Sequence, residues 1–519
     1  MSRRFRRTPL SPELSAATLP STDPVTIPTN DSPAVSSNAG LGKRTTTGFV
    51  WLLAQSVLSK VVALVAQLLW TRFLSPADLG LFTIAYAITL GVGWMQEAGT
   101  REVLVRRPRH YERRVNSAFW LTMCTAVGGY TFLWALSPLL EQFYQRPHLA
   151  FLVRIALLSP MFMSLSNVAQ AKIEIDMRFD LLARLNLACL VAQSFITVGL
   201  AAAGAGALSF VIPIALIPMG RCLYLYSVAR PPIHLKLESA KWKYLLSGIG
   251  LLIVAGACNF VLWQGDNIIL GRLVLPAELG LYAFAYNLSQ QTLFLLSNNI
   301  NSVLLPALSR LNLERERQLD VYMRSIRALA VVGALLCLLP GIVSPALIGV
   351  FFHANWADAA PILMILSVGM AIRVVDTTGD ALLKAQGRFS TLTTLSIAQA
   401  LTFAVAGYFA ARLYGAVGMA SAVTICIALF GPLRVYLAVK TIGGSPGSVF
   451  GIFGGSFALF GISQVGPYLL ARWLFPDSPL ANLVIPVVLG TIIYFVLLRF
   501  LAPALWNDML SRVKRKRTK

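Results

Sequence analysis

From Gly48 onward the chain alternates long apolar runs with short polar breaks. A membrane-spanning helix needs about 20 apolar residues. Runs of that kind lie near 48–71, 80–100, 117–139, 149–171, 182–203, 206–228, 244–265, 279–301, 328–350, 360–384, 390–411, 416–439, 449–471 and 481–505. The tightest break is at 203–206, where Gly204 and Gly206 mark a turn. The pattern predicts an all-α polytopic membrane protein of about 14 transmembrane helices. Residues 1–47 follow a different pattern. Ser, Thr and Pro dominate, as in Ser11-Pro12 and Ser32-Pro33. Without apolar periodicity this stretch is expected to be a disordered, basic tail.

Composition supports this reading. Of 519 residues, 56% are hydrophobic and 13% charged, against about 25% charged in soluble domains. Six cysteines all fall in apolar stretches without a CxxC pair, so they count as small buried hydrophobes. Four isolated histidines offer no metal-ligand spacing, and neither metal nor cofactor is expected.

The formal net charge of +22 would suggest nucleic acid on a soluble chain. Its distribution says otherwise. With the N-terminus inside, 33 of the 44 Lys and Arg fall in cytosolic segments. Five, Arg72, Arg146, Arg272, Arg412 and Arg472, fall outside, and six lie within spans. That asymmetry is the positive-inside signal, with both termini cytosolic and no nucleic-acid partner.

An internal repeat organises the spans. Residues 72–88, RFLSPADLGLFTIAYAI, align at an offset of 200 with residues 272–288, RLVLPAELGLYAFAYNL, and 8 of 17 positions are identical. Arg72/Arg272, Pro76/Pro276 and Gly80/Gly280 match in the loop, and Asp78/Glu278 keep the charge. Pro and Gly break one helix, and the acid sits where the next helix dipole favours it. Arg178-Phe179 echoes Arg388-Phe389 at an offset of 210. Six spans per repeat bring both copies in from the same side, so the lobes are parallel and related by an axis along the membrane normal. The expected organisation is the tail (1–47), a first lobe (48–228), a cytosolic linker (229–243), a second lobe (244–440), two further spans (441–505) and a basic cytosolic tail (506–519).

The loop Arg72-Phe73-Leu74-Ser75-Pro76-Ala77-Asp78-Leu79-Gly80-Leu81 resembles the R-x-L-S-P-x-D-x-G-L loop of Wzx-type polysaccharide-export flippases of the multidrug/oligosaccharidyl-lipid/polysaccharide superfamily. Asp266 to Arg272 followed by Leu279-Gly280-Leu281-Tyr282, and Leu305-Pro306-Ala307-Leu308-Ser309-Arg310, are similar to that family's segments around spans seven and eight. The resemblance covers residues 48 to about 440. It implies a transporter in the bacterial cytoplasmic membrane that moves undecaprenyl-diphosphate-linked sugar repeats outward for surface or exopolysaccharide synthesis. No bond is made or broken. Implied partners are the lipid-linked oligosaccharide, membrane lipid and a polysaccharide polymerase with its chain-length machinery.

The six cations inside spans carry the candidate chemistry, because each costs about 2.5–3.5 kcal/mol at a helix centre. Arg221, Arg434 and Arg499 lie near cytosolic ends and are expected to snorkel. Arg154, near an outer end, is a candidate for the outer mouth of a cavity. Lys60 and Arg373 lie mid-span. Ser56, Lys60 and Gln67 share one helix face, and Arg373, Asp376 and Asp380 share another. Two readings stand: an Arg373–Asp376 structural pair, or a diphosphate clamp with Lys60. Asn287, Gln291, Asn298 and Asn301 form a polar stripe on span eight, suited either to sugar hydroxyls or to helix packing. Asn259, Trp263 and Asp266 share a face of span seven, where Trp263 is either a sugar platform or part of an interfacial belt. Glu97, Asp376 and Asp380 are candidates for ion coupling, with Arg101 as a simple partner for Glu97.

Two other functions compete. A cation-coupled multidrug exporter would favour an acidic cavity with a buried acid in span one, where this chain has Lys60. A glycan polymerase or ligase would need a long outer loop with acid, base or Arg groups, and the outer loops here are short.

Overall fold

The computed structural model describes residues 58–96, 104, 111–234, 249–501 and 503. The tail 1–47, Glu97 and the segment 506–519 lie outside them, as do the side chains of Asn298 and Asn301. Among the described residues the secondary structure is helical, without strands. The first set of helices comprises α1 (58–73), α2 (Pro76–Gln96), α3 (Tyr111–Tyr144), α4 (Leu149–Ala156), α5 (Leu158–Ile175), α6 (Phe179–Ala202) and α7 (Leu208–Ala229). The second comprises α8 (Ile249–Leu273), α9 (Pro276–Arg310), α10 (Arg315–Ile342), α11 (Ser344–Phe351), α12 (Ala359–Ala385) and α13 (Phe389–Thr441). Then come α14 (Pro446–Leu474), α15 (Pro479–Ile485) and α16 (Thr491–Leu501), the last two joined by a π-turn at Pro486–Gly490. Among the described residues, nine helical segments are long and apolar enough to cross a membrane.

The helices differ from the hydropathy runs where polar sequence continues the backbone hydrogen bonding. α10 begins at Arg315, well before the apolar run at 328. Its first turns are held by Arg317–Glu314 at 3.1 Å and Arg324–Asp320 at 2.9 Å. The buried Gln318 donates to the Leu308 carbonyl at 2.8 Å and folds the start of α10 against the end of α9. The run at 149–171 is two helices broken at Leu157. At the start of α3, Tyr111 donates to the Val168 carbonyl at 3.1 Å. Burial, reinforced by the nearby Asp176 charge, pushes its phenol above the ordinary range, so it stays a donor.

The repeat is visible in the backbone. Arg178 and Arg388 precede α6 and α13 with φ/ψ of −89/55° and −82/54°. Each follows a residue of positive φ, Met177 at 56° and Gly387 at 69°. α13 is two helices meeting at Tyr414 and Gly415, with Gly415 at φ 57° and ψ −138°. It thereby matches the α6–α7 turn, where Gly206 has φ 55°. The matched acids keep their place, Asp78 against Gly206 and Glu278 against Gly415, but differ in their hydrogen bonds. Asp78 and Ser75 form a reciprocal cap at the start of α2, with Ser75 Oγ donating to Asp78 at 2.6 Å and Asp78 N donating to Ser75 Oγ at 3.3 Å. In the second copy the cap position is Leu275, which has no hydroxyl, and Glu278 instead accepts from Ala416 N at 2.7 Å across the α13 break.

The two copies meet at Gly80 and Gly280, in the first turns of α2 and α9. A Cβ on Gly80 would fall onto the Pro276 carbonyl oxygen, and a Cβ on Gly280 onto the Pro76 carbonyl oxygen. α2 and α9 therefore touch backbone to backbone in a reciprocal contact. Two further bonds flank it. Trp356 Nε1–H donates to the Thr71 carbonyl at 3.0 Å, and Arg146 donates to the Val274 carbonyl at 2.6 Å. In each case a residue after the third span of one copy holds the loop after the first span of the other. Trp356 is fully buried, with Trp70 edge-on at 5.7 Å and Phe284 at 4.7 Å. This closed end carries the loops at 72–76 and 272–276, which the charge asymmetry predicts to face outward.

Gly80→Val and Gly280→Val are expected to lower stability by more than the about 1–3 kcal/mol typical of overpacking, because backbone cannot yield as a side chain can. Thermal unfolding in detergent should show this beside Gly454→Ala, where the added carbon meets nothing within 4 Å and little change is expected.

Candidate functional site

Beneath the closed end lies a cavity of about 420 Å³, lined by Lys60, Gln67, Gln193, Asn287, Gln290 and Gln291 with aromatic neighbours Trp70, Phe284 and Phe294. It lies between α1 and α6 of the first copy and α9 of the second. α1 is amphipathic in an unusual sense: Lys60 and Gln67 stand two turns apart on one face, while Val61, Leu64, Val65 and Leu69 are exposed. Gln291 Nε2–H donates to Gln67 Oε1 at 2.8 Å, an amide bridge between copies. Asn287 Nδ2–H donates to the Ala283 carbonyl of its own helix at 2.8 Å, which leaves its oxygen free to accept.

The cations continue this site as a column. Lys60 Nζ stands 5.8 Å from the Phe294 ring centroid. Phe294 stacks on Trp263 at 5.8 Å and 11°. The Arg373 guanidinium lies 4.1 Å over Trp263. Each ring contributes about 0.5–2 kcal/mol to its cation, more as water is excluded. Among the described residues, neither Lys60 nor Arg373 has a carboxylate within salt-bridge distance. Trp263 is thus sandwiched between a ring and a guanidinium and presents no free face as a sugar platform.

Sequence grouping and structural grouping part company on α12. Asp376 pairs with Arg434 at 2.7 Å, and Arg434 also reaches Asp380 at 3.3 Å and donates to Gln399 at 2.6 Å. Arg434 is 6% exposed and Asp376 5%. The expected Arg373–Asp376 pair is therefore replaced, and Arg434 does not snorkel. A buried arginine inside a lobe finds its counter-charges on the neighbouring helix α12, across 58 residues of sequence. Arg373 points the other way, onto Trp263.

The remaining candidates lie elsewhere. Asp266 is buried, accepting from Tyr282 OH at 2.8 Å and from Asn267 N at 2.8 Å, within electrostatic range of Arg373, and like Arg373 and Trp263 it is not among the residues that line the cavity. Asn259 is half-buried on α8 and is likewise not among the lining residues. Arg154 lies over Trp134 at 4.5 Å and donates to Ser137 Oγ at 2.8 Å, inside the first copy and not at the cavity. Arg221 donates to Gln170 at 2.9 Å. Gln193 and Gln290 line the cavity without having been singled out in the sequence. An amide in the apolar C-terminal half of α6 is the available signal for Gln193. Among the described residues, no group of three or more His, Cys, Asp or Glu could hold a metal.

The buried cluster generates a prediction. Arg434→Gln leaves Asp376 without its charge and is expected to cost about 3–5 kcal/mol. The double variant Asp376→Leu/Arg434→Met should recover most of that loss. Thermal unfolding of the three proteins in detergent checks both.

Comparison with known proteins places this geometry. The chain is 23% identical over 349 residues to the teichuronic acid biosynthesis protein TuaB of Bacillus subtilis (strain 168), covering 67% of this chain and 72% of that protein. It is 20% identical over 459 residues to the lipopolysaccharide biosynthesis protein WzxC of Escherichia coli (strain K12), covering 87% and 89%. The fold is that of the lipid II flippase MurJ in an inward closed conformation, with a TM-score of 0.71 and 13% identity over 88% of this chain and 99% of that one. Residues 69–361, more than half of the chain, match the family described as polysaccharide biosynthesis protein. The chain belongs to that family, as a Wzx-type polysaccharide biosynthesis flippase of the multidrug/oligosaccharidyl-lipid/polysaccharide superfamily.

Proposed function

We propose that the chain carries undecaprenyl-diphosphate-linked oligosaccharide repeats across the cytoplasmic membrane, with both termini in the cytosol. One observation carries this reading: the Lys60–Phe294–Trp263–Arg373 column beside a cavity walled by amides. Two cations with no carboxylate within 4.0 Å among the described residues suit a diphosphate, because charge-assisted bonds to phosphate oxygens are among the strongest available. The amides suit sugar hydroxyls, which need donors and acceptors together. The lining includes no carboxylate, so a cationic drug would meet repulsion from Lys60 without a counter-charge. The names of the similar proteins agree, since two belong to polysaccharide synthesis and one flips a lipid-linked precursor.

In this reading the two copies rock about the cavity. The loops at 72–76 and 272–276 form the outer gate, latched by Trp356 and Arg146. A substrate entering from the cytosolic side draws Lys60 and Arg373 off their rings onto phosphate oxygens. Because Lys60 belongs to the first copy and Phe294, Trp263 and Arg373 to the second, headgroup binding would loosen one contact between copies.

Lys60→Ala and Arg373→Ala are each expected to reduce surface polysaccharide at least about tenfold in a complemented deletion strain, the equivalent of about 1.4 kcal/mol, while the protein still inserts. Undecaprenyl-linked repeats should accumulate on the cytosolic side of that strain. Full complementation by both variants would refute the headgroup role. Normal surface polysaccharide in the deletion strain, with no second flippase, would refute the function. Trp356→Phe with Arg146→Ala keeps the packing and removes both latches. In a chain otherwise freed of cysteine, it should raise labelling of a cysteine at Gln67 by an impermeant reagent from the outside.

A further inference from the structure

A second polar pocket lies apart from the transport cavity, where α14 turns into α15. It has a volume of about 270 Å³ and is lined by Tyr468, Arg472, Asp477 and Asn482 between walls of Pro345, Pro476 and Pro479. Proline walls fix the backbone, so the pocket does not depend on loop ordering for its shape.

Its charges are arranged unusually. Arg472 and Asp477 line one small pocket yet form no salt bridge with each other. The guanidinium makes only a long contact to Tyr468 OH, at 3.4 Å. Asn482 also lines the pocket. Its Nδ2 donates to the Phe475 carbonyl at 3.1 Å and lies 3.5 Å from the Pro476 carbonyl, which fixes the orientation of the amide. Its Oδ1 is then buried with no hydrogen-bond partner.

The surroundings give the level in the membrane. Trp473 is 79% exposed, and Leu474, Phe475 and Leu480 are exposed beside it. An aromatic and aliphatic rim around a charged pocket at the end of a spanning helix is the pattern of the membrane–water interface.

We propose that this pocket binds the headgroup of a zwitterionic phospholipid bearing a primary ammonium, that is, phosphatidylethanolamine. Arg472 holds the phosphate, while Asp477 receives the ammonium. The acyl chains lie along Trp473, Phe475 and Leu480. The Asp477 carboxylate, exposed at the pocket, selects the ligand, because a primary ammonium donates N–H bonds to it and a quaternary choline cannot. With the N-terminus in the cytosol, the pocket faces the outer leaflet, where it would tie α14 and α15 to the lipid.

The test uses the full-length protein in nanodiscs of equimolar phosphatidylethanolamine, phosphatidylcholine and phosphatidylglycerol. Lipids retained after release are counted by native mass spectrometry. Phosphatidylethanolamine should exceed phosphatidylcholine about tenfold, one charge-assisted contact's worth. Asp477→Asn should bring it down toward phosphatidylcholine while leaving the latter unchanged. Arg472→Gln should lower all three. Thermal unfolding confirms that both variants fold. Equal retention of the two zwitterionic lipids by the wild-type chain, or a preference that survives both substitutions, overturns the proposal. Stabilisation by free glucuronic acid and not by phosphatidylethanolamine also overturns it and makes the pocket a saccharide site. No transport is measured, so the result stands apart from that of the flippase reading.

Discussion

The architecture depends on one backbone contact, the reciprocal approach of Gly80 to the Pro276 carbonyl and of Gly280 to the Pro76 carbonyl. In lipid there is no hydrophobic drive to bring two helices together, so close backbone packing has to supply the attraction. Side chains at these two positions would hold α2 and α9 apart. The Trp356 and Arg146 bonds would lose their reach, and the amide bridge between Gln67 and Gln291 would open. The cavity exists where it does because the copies touch at one end and diverge below.

The functional chemistry is divided between the copies in an orderly way. The first copy contributes Lys60 and Gln67 on α1, and the second contributes the rings, Arg373 and the amides of α9. Neither copy alone holds both cations. The interior of the second copy is meanwhile made electrically self-contained by Arg434, Asp376 and Asp380. That cluster separates structural charge from charge available to a ligand, even though Arg373 and Asp376 are only three residues apart.

Much of this was legible in the sequence, and particular residues explain why. Arg72/Arg272, Pro76/Pro276 and Gly80/Gly280 stand at matching helix ends and first turns, where backbone geometry and the contact between copies dictate residue identity, so the repeat survives in them. Lys60, Gln67, Asn287 and Gln291 stand out as polar groups in apolar runs, and the structure brings all four to one cavity. Arg434 is buried and paired although its position near a helix end satisfies the snorkelling pattern equally well. Only the packing of α13 on α12 reveals its partners. Residues 315–327 were placed outside the helix because hydropathy records where lipid lies, whereas the backbone bonding continues into water. The column of Lys60, Phe294, Trp263 and Arg373 joins three separated helices and α1, and no local spacing encodes it.

The two latches share a property with a genetic consequence. Each donor is a side chain, Trp356 or Arg146, but each acceptor is a main-chain carbonyl, at Thr71 or Val274. Every residue type carries that oxygen, so drift at positions 71 and 274 leaves the acceptor in place. Half of the gate is thus written in atoms that substitution cannot delete. Second-site suppressors of a weakened latch should therefore cluster around the donors and the packing that aims them, and rarely at the residues they grip.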